Sequence, residues 1–409
     1  MTRNQAFFSP FQGVRASRGT KRRNRSEDVG DFSPIDWEFA EAVGVRCAGT
    51  NAYSRAAAAM PAEFEVRTRV AQELVEDFVG LSSEAGPARV QVISRQDWVR
   101  VNIVGFRRFL DPWFRGFAAA EAERRDPLFP RVRSAMERSV RPVSRKGLAV
   151  ELGLLLGFLS RRVLGQYDLI LPSDEETSSG PLHAQADVAH DDTLYYVGPN
   201  IRALEQRYGF SPPDFRLWIA LHEVTHRTQF TGVPWLQPYF LSLLQSVLGE
   251  ADLAPVGFPK FVSELAARVK KAGSPADGAA AEGGMQLFFR TEEQRVSFRA
   301  MTSLMTLLEG HGNYVMDCLG AEHVKGQARM SAALHQRRQK RGVSRVLLQV
   351  MGMEMKAKQY EEGQRFVEKV VELAGARGLD PVWQSPESLP LLPEIRENPQ
   401  AWIARVAST

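Results

Sequence analysis

The sequence predicts an α+β fold, mainly helical with a small β-sheet. Three observations carry that expectation. Long stretches place apolar residues three and four apart, as helices with one buried face require. Only two short runs, YDLIL at 167–171 and TLYYV at 193–197, have the aromatic and aliphatic density of strands. Glycine and proline clusters such as SSEAGP at 82–87 punctuate the helical stretches. A lone strand pair is marginal, so further, less obvious strands are expected.

Taken in order, residues 1–34 are polar and basic without periodicity, and predict a disordered tail. The net charge is +4. Residues 1–30 hold seven Lys and Arg against Glu27 and Asp28, which leaves the rest of the chain one charge negative. A nucleic-acid partner would rest on KRRNR at 21–25 alone and is not expected. Residues 35–405 read as a single unit in three parts: helical over 35–145, a core with short strands over 146–320, and helical again over 321–405.

Within that unit, helices are expected over Asp36–Ala42, Glu63–Leu81 and Asp97–Ala120. Phe129–Pro142 reads as a helix or a connection, and Gly147–Leu164 as a strongly apolar helix. Its run LGLLLGFL at 152–159 is too short to span a bilayer. The first residues lack the apolar region of a secretory signal. Two cysteines, Cys47 and Cys318, exclude a disulfide framework and a cysteine zinc cluster. These points predict a cytoplasmic protein. The polar loop Ser173–Asp192 carries His183 and His190, read as exposed. Helices are expected from residue 212, from 234 or 237, and over Pro259–Lys271. A flexible loop over Ala272–Gly284 precedes a long helix over Thr291–Leu319. Further helices fit Val346–Ala376 and the final PQAWIARV, with Asn398 as its cap. Met351, Met353 and Met355 read as core.

The chemistry concentrates in LHEVTHRTQF at 221–230. Ser211 suits an N-cap, Pro212 the first helical position, and Asp214 the acid of a capping box. A helix started there turns about 100° per residue, so His222 and His226 share a face. Both imidazoles could reach one zinc at about 2.0–2.1 Å. Glu223 points off that axis and could reach a water without being a ligand, which is the HExxH arrangement. Leu217, Trp218, Ile219, Ala220 and Leu221 make this a buried helix, where histidines need partners.

A catalytic zinc takes three protein ligands and a water. The metzincin pattern needs glycine at 229 and histidine at 232; the chain has Gln229 and Gly232, so the third ligand is remote. LLEGHGNYVMD at 307–317 is the best source. Glu309 stands in an otherwise apolar helical pattern, with His311 as the alternative ligand or a pocket residue. Gly310 and Gly312 permit close backbone approach where two helices pinch a metal. Asn313 and Asp317, one and two turns after Glu309, could orient a histidine ring.

HEVTH with a distant carboxylate in EGHGNYVMD resembles the gluzincin side of the zincin metallopeptidases. More closely, the chain resembles an uncharacterised bacterial family of zincin-like candidate hydrolases. That family is described as zinc-dependent metalloproteases, sometimes by association with biosynthesis of the deazaflavin coenzyme. The matching pieces are IDWEFA, LGLLLGFLSRRVLGQYDLILP, LYYVGPNI, HEVTHRTQF, LLEGHGNYVMD and MEMKAKQYEEGQRFV. The resemblance implies a zincin-like fold, one zinc ion on His222, His226 and Glu309, and Glu223 as general base. Thermolysin-like enzymes place an aspartate four residues after the ligand glutamate; Asn313 stands there in this chain.

The expected activity is metal-assisted hydrolysis of an amide in a peptide or small-molecule substrate, with no membrane. Candidate oxyanion donors are His311, Tyr314 and Tyr360. TLYYV could align a peptide by edge pairing. The basic run Arg337, Arg338, Lys340 and Arg341 reads as a solvated face, with acidic substrates as the functional alternative. Two other readings remain: a non-peptidase amidohydrolase with the same site, and a scaffold with a vestigial or structural metal.

Overall fold

A computed structural model describes residues 33–49, 59–83, 85–123, 130–167, 192–248, 291–339 and 353–408. From Ser33 on, these belong to one compact unit. The basic tail before Ser33, the helix over Pro259–Lys271 and the loop over Ala272–Gly284 lie outside them. So do His183, His190, Met351 and Lys340, and the side chains of Met353, Met355, Tyr360, Arg337 and Arg338.

The N-terminal part packs α1 (Trp37–Ala48), α3 (Arg95–Glu123) and α4 (Pro130–Leu159) around Trp37, Trp98, Val99 and Leu156. Asp36 starts α1 by accepting the Phe39 N–H at 3.1 Å. Helices α1 and α4 cross at Gly44 and Gly153, where a Cβ on Gly153 would stand 2.8 Å from the Val43 Cβ. The two stretches read separately over 129–164 are one helix, α4. It ends at Leu159, whose carbonyl accepts the Arg162 and Val163 N–H groups and turns the chain toward the sheet.

The sheet has three strands, β1 (Arg89–Ile93), β2 (Gly165–Tyr167) and β3 (Thr193–Val197), in the order β1-β3-β2. Strand β1 runs parallel to β3, with Val90 opposite Leu194, and β2 runs antiparallel, with Gly165 opposite Tyr196. TLYYV is therefore the central strand with both edges paired, and cannot add a substrate strand; the expectation of edge pairing there is corrected. YDLIL is corrected too: the strand begins two residues earlier, at Gly165, and 168–171 lie outside the described residues. All five residues of β3 are buried. Leu194 and Tyr196 face one core, and Tyr195 and Val197 face the N-terminal one.

The first of those cores unites α2 (Met60–Val79), α5 (Gly198–Tyr208) and α6 (Pro212–Gly232). In it Phe64 stacks on Tyr196 at 4.0 Å, and the Tyr196 hydroxyl meets Thr68 at 2.9 Å. A third core joins α7 (Leu236–Leu248), α8 (Glu292–His323) and α10 (Met353–Ala374). Helix α9 (Gln327–Gln339) follows α8. Two 3-10 turns, Ala376–Trp383 and Pro386–Ser388, lead to α11 (Leu392–Arg396) and α12 (Pro399–Ala407). Asn398 caps α12 by accepting the Ala401 N–H at 3.1 Å. No helix among the described residues is long and apolar enough to cross a membrane.

Candidate metal centre and active site

Helix α6 is buried nearly all round, which a helix with few polar surface positions requires. Ser211 precedes it, but no side chain caps it. Asp214 instead accepts the Lys325 N–H at 3.4 Å, so the expected capping box does not form. Ion pairs fix the helix. Near its start Arg216 forks onto Glu205 of α5 at 2.8 and 3.0 Å and also pairs with Glu63 of α2. Further along, Arg227 is fully buried and pairs with Asp192 at 2.5 and 2.7 Å, and its guanidinium also donates to the Gly86 carbonyl. The helix that carries HEVTH is thereby held to α2, α5 and the entrance of β3.

Helix α8 starts with a complete capping box: Thr291 accepts the Gln294 N–H at 3.1 Å and Gln294 returns the bond at 3.3 Å. Halfway along it, Glu309 meets the two histidines. Its Oε2 lies 3.8 Å from His222 Nε2 and 3.6 Å from His226 Nε2, and the two nitrogens are 3.2 Å apart. A point equidistant from all three atoms lies about 2.1 Å from each, the bond length of zinc to imidazole nitrogen and carboxylate oxygen. The group His222, His226 and Glu309 could hold a metal ion. The histidine side chains keep 17% and 16% of their exposure, so an ion and a water can reach them.

The two glycines of α8 divide the work. A Cβ on Gly312 would stand 3.1 Å from His226 Cε1 and 3.3 Å from His222 Cε1, so its absence makes room for both rings. Gly310 does not face the rings: it faces α10, where a Cβ would stand 2.5 Å from the Gln364 nitrogen. The expectation that both glycines pinch the metal is corrected for Gly310. Gly363 on α10 answers it, and the two backbones touch there.

Glu223 is buried beside His222, and its carboxylate lies against the backbone of Gly165 on β2. A Cβ on Gly165 would stand 2.5 Å from Glu223 Oε1. Burial opposes protonation of His226, but Glu309 and Glu223 outweigh it and hold its pKa above the ordinary 6.5. Burial raises the Tyr196 pKa, and the Glu223 charge adds to the rise.

The remaining candidates have other partners. His311 is buried, edge-on to Trp383 at 5.1 Å, and its Nδ1 lies 2.9 Å from Gln229 Nε2. Burial and the nearby His226 push its pKa down to about 3, so it is neutral at any ordinary pH. Tyr314 is engaged with the Cys318 thiol and packs near Phe78 at 6.2 Å; burial pushes its pKa up to about 12. Asp317 accepts from Gln327 at 2.7 Å and from Gln364 at 3.2 Å. Asn313 is buried, and its side chain makes no hydrogen bond among the described residues. The group on the His226 ring is Gln229, whose Oε1 lies 3.0 Å from His226 Nδ1. An amide three residues after a histidine on a buried helix does not by itself announce that role in the sequence.

The model of a family of zincin-like metallopeptidases matches residues 35–403. The chain belongs to that family. A crystal structure of a candidate hydrolase with a novel fold from Chloroflexus aurantiacus is similar to this zincin-like chain, with 29% identity and a TM-score of 0.59. The match covers 92% of this chain and 99% of that one. No curated protein matches the chain.

Proposed function

We propose that this protein is a zinc-dependent hydrolase that cleaves an amide bond, with Glu223 as general base. The observation that carries the reading is the convergence of His222, His226 and Glu309 from two helices, with the Glu223 carboxylate one residue along. Bound there, zinc supplies Lewis acidity and lowers the pKa of a coordinated water from 15.7 to about 7. Two neutral imidazoles and one carboxylate leave a net positive charge on such an ion, which suits activation of water. Glu223, outside the ligand set, takes the proton of the attacking water on its carboxylate and hands it to the leaving nitrogen.

Strand β2 supports a peptide as substrate. It touches the Glu223 carboxylate at Gly165, and it stands last in the β1-β3-β2 order of the sheet. A peptide in extended form adds to such an edge through main-chain hydrogen bonds. The test compares the wild type with Glu223→Gln in a zinc assay and a broad peptide-library digest. The expected result is one zinc per chain in both, with cleavage by the wild type alone. Full zinc in both and equal cleavage would remove Glu223 from the reaction. Cleavage of small amides but of no peptide would move the substrate to the small-molecule class.

A further inference from the structure

A chain of hydrogen bonds runs from the His226 ring into helix α8 and ends on a group that can only accept. The Gln229 side chain donates from Nε2 to the Leu308 carbonyl at 3.2 Å. That carbonyl has no proton to give. Flipping the Gln229 amide would set oxygen against oxygen, so the carbonyl fixes which end of the amide faces it. Gln229 Oε1 is then the atom 3.0 Å from His226 Nδ1, and it too can only accept. The proton on His226 must therefore sit on Nδ1, which leaves the Nε2 lone pair facing Glu309 and His222. The second Gln229 N–H goes to His311 Nδ1 at 2.9 Å, so His311 carries its proton on Nε2. Gln229 and His311 are both buried, at 1% and 4% exposure, so water does not compete for these bonds.

We propose that Gln229 is a positioning residue of the metal site: it selects the metal-binding tautomer of His226 and ties α6 to α8 next to Glu309. Leu308 immediately precedes Glu309, so one amide links the second histidine to the backbone that carries the third ligand. His311, behind the amide and edge-on to Trp383, is the acceptor that occupies the second N–H. The inference rests on the reading of His222, His226 and Glu309 as ligands. Partners of this kind on a ligand histidine are worth about 10–100-fold in metal affinity.

The test uses the full chain, ring-labelled with 15N, stripped of metal, at a pH where His226 is neutral. Two-bond nitrogen–proton correlations read the tautomer, and competition with a chromophoric chelator reads zinc affinity. In the wild type His226 is expected in the Nδ1–H form. Gln229→Leu should lose that preference and bind zinc about 10–100-fold more weakly. Gln229→Glu keeps an acceptor for His226 but offers no N–H to Leu308 or His311. It should hold the Nδ1–H form and lose less affinity than the leucine variant. A folded Gln229→Leu with the wild-type tautomer, or with wild-type zinc affinity, overturns the proposal. If that variant does not fold, Gln229→Glu decides, and departure of His226 from the Nδ1–H form overturns it. A wild type that binds no zinc defeats the ligand reading instead, while the tautomer measurement still decides the role of Gln229.

Discussion

Gly165→Ala tests the placement of Glu223 without touching a metal ligand. Gly165 is not among the glycines with positive φ, so alanine adds no backbone strain there. The new Cβ would stand 2.5 Å from Glu223 Oε1 and 2.6 Å from its Cδ and Cγ. Carbon contacts relax near 3.5 Å, so the carboxylate must retreat by about 1 Å. A misplacement of about 1 Å costs about 10²-fold in rate, and that factor corresponds to about 2.7 kcal/mol on the barrier. Zinc binding should not change, because Glu223 lies outside the ligand set. The assay is the initial rate of peptide-library cleavage by zinc-loaded wild type and variant, with zinc per chain measured by mass spectrometry and Tm by calorimetry. A lower rate with equal zinc and equal Tm is the expected outcome. A rate within about threefold of wild type, at full zinc, would refute the reasoning: the retreat worked out from Gly165 would then not reach the reaction.

Three further outcomes are expected. Chelation should lower Tm, because ligand bound only to the native state stabilises it by about 2.7 kcal/mol at 100 times Kd; Glu309→Ala should show the lower Tm with and without zinc. Gly363→Ala puts a methyl group into the backbone crossing at Gly310 and Thr306, neither of which can fold away; overpacking of about 1–3 kcal/mol should appear as a lower midpoint in urea. Burial opposes ionisation of Glu394, but Arg405, at 2.9 Å, and the Leu391 N–H outweigh it and hold the carboxyl below its ordinary 4.5. A carboxyl lowered in the folded state stabilises fully above the unfolded pKa and loses that contribution as pH falls through the folded one. Urea midpoints should therefore fall less steeply below pH 4.5 in Glu394→Gln than in wild type.

The parts of the site that local geometry fixes were legible in the sequence. Four-residue spacing puts His222 and His226 on one face whatever else the chain does, and an acid in an apolar helical run pointed to Glu309. The role of Gln229 was not legible, because it depends on a carbonyl about 80 residues away in sequence standing opposite its amide. Gly165 was hidden for the same reason: its lack of a side chain matters only because Glu223 occupies that space. The sequence called for further strands without placing them; β1, RVQVI, alternates over only five residues and is fixed by its ladder with β3. Helix α5 was missed because only Ile201 and Leu204 mark its apolar face, and α6 anchors it through Arg216 and Glu205. His311 and Tyr314 could be placed on α8, but the sequence could not say that Gln229 and Cys318 would engage them.

Strand β3 shares its side chains between two cores, Leu194 and Tyr196 to one and Tyr195 and Val197 to the other. Side chains alternate with a period of two, so insertion or deletion of one residue would send every one of them to the opposite side. Neither core could absorb the exchange, since each is filled by rings of fixed shape. Length variation among relatives should therefore gather in connecting segments and spare these five positions, even where the residues themselves are exchanged for others of like volume.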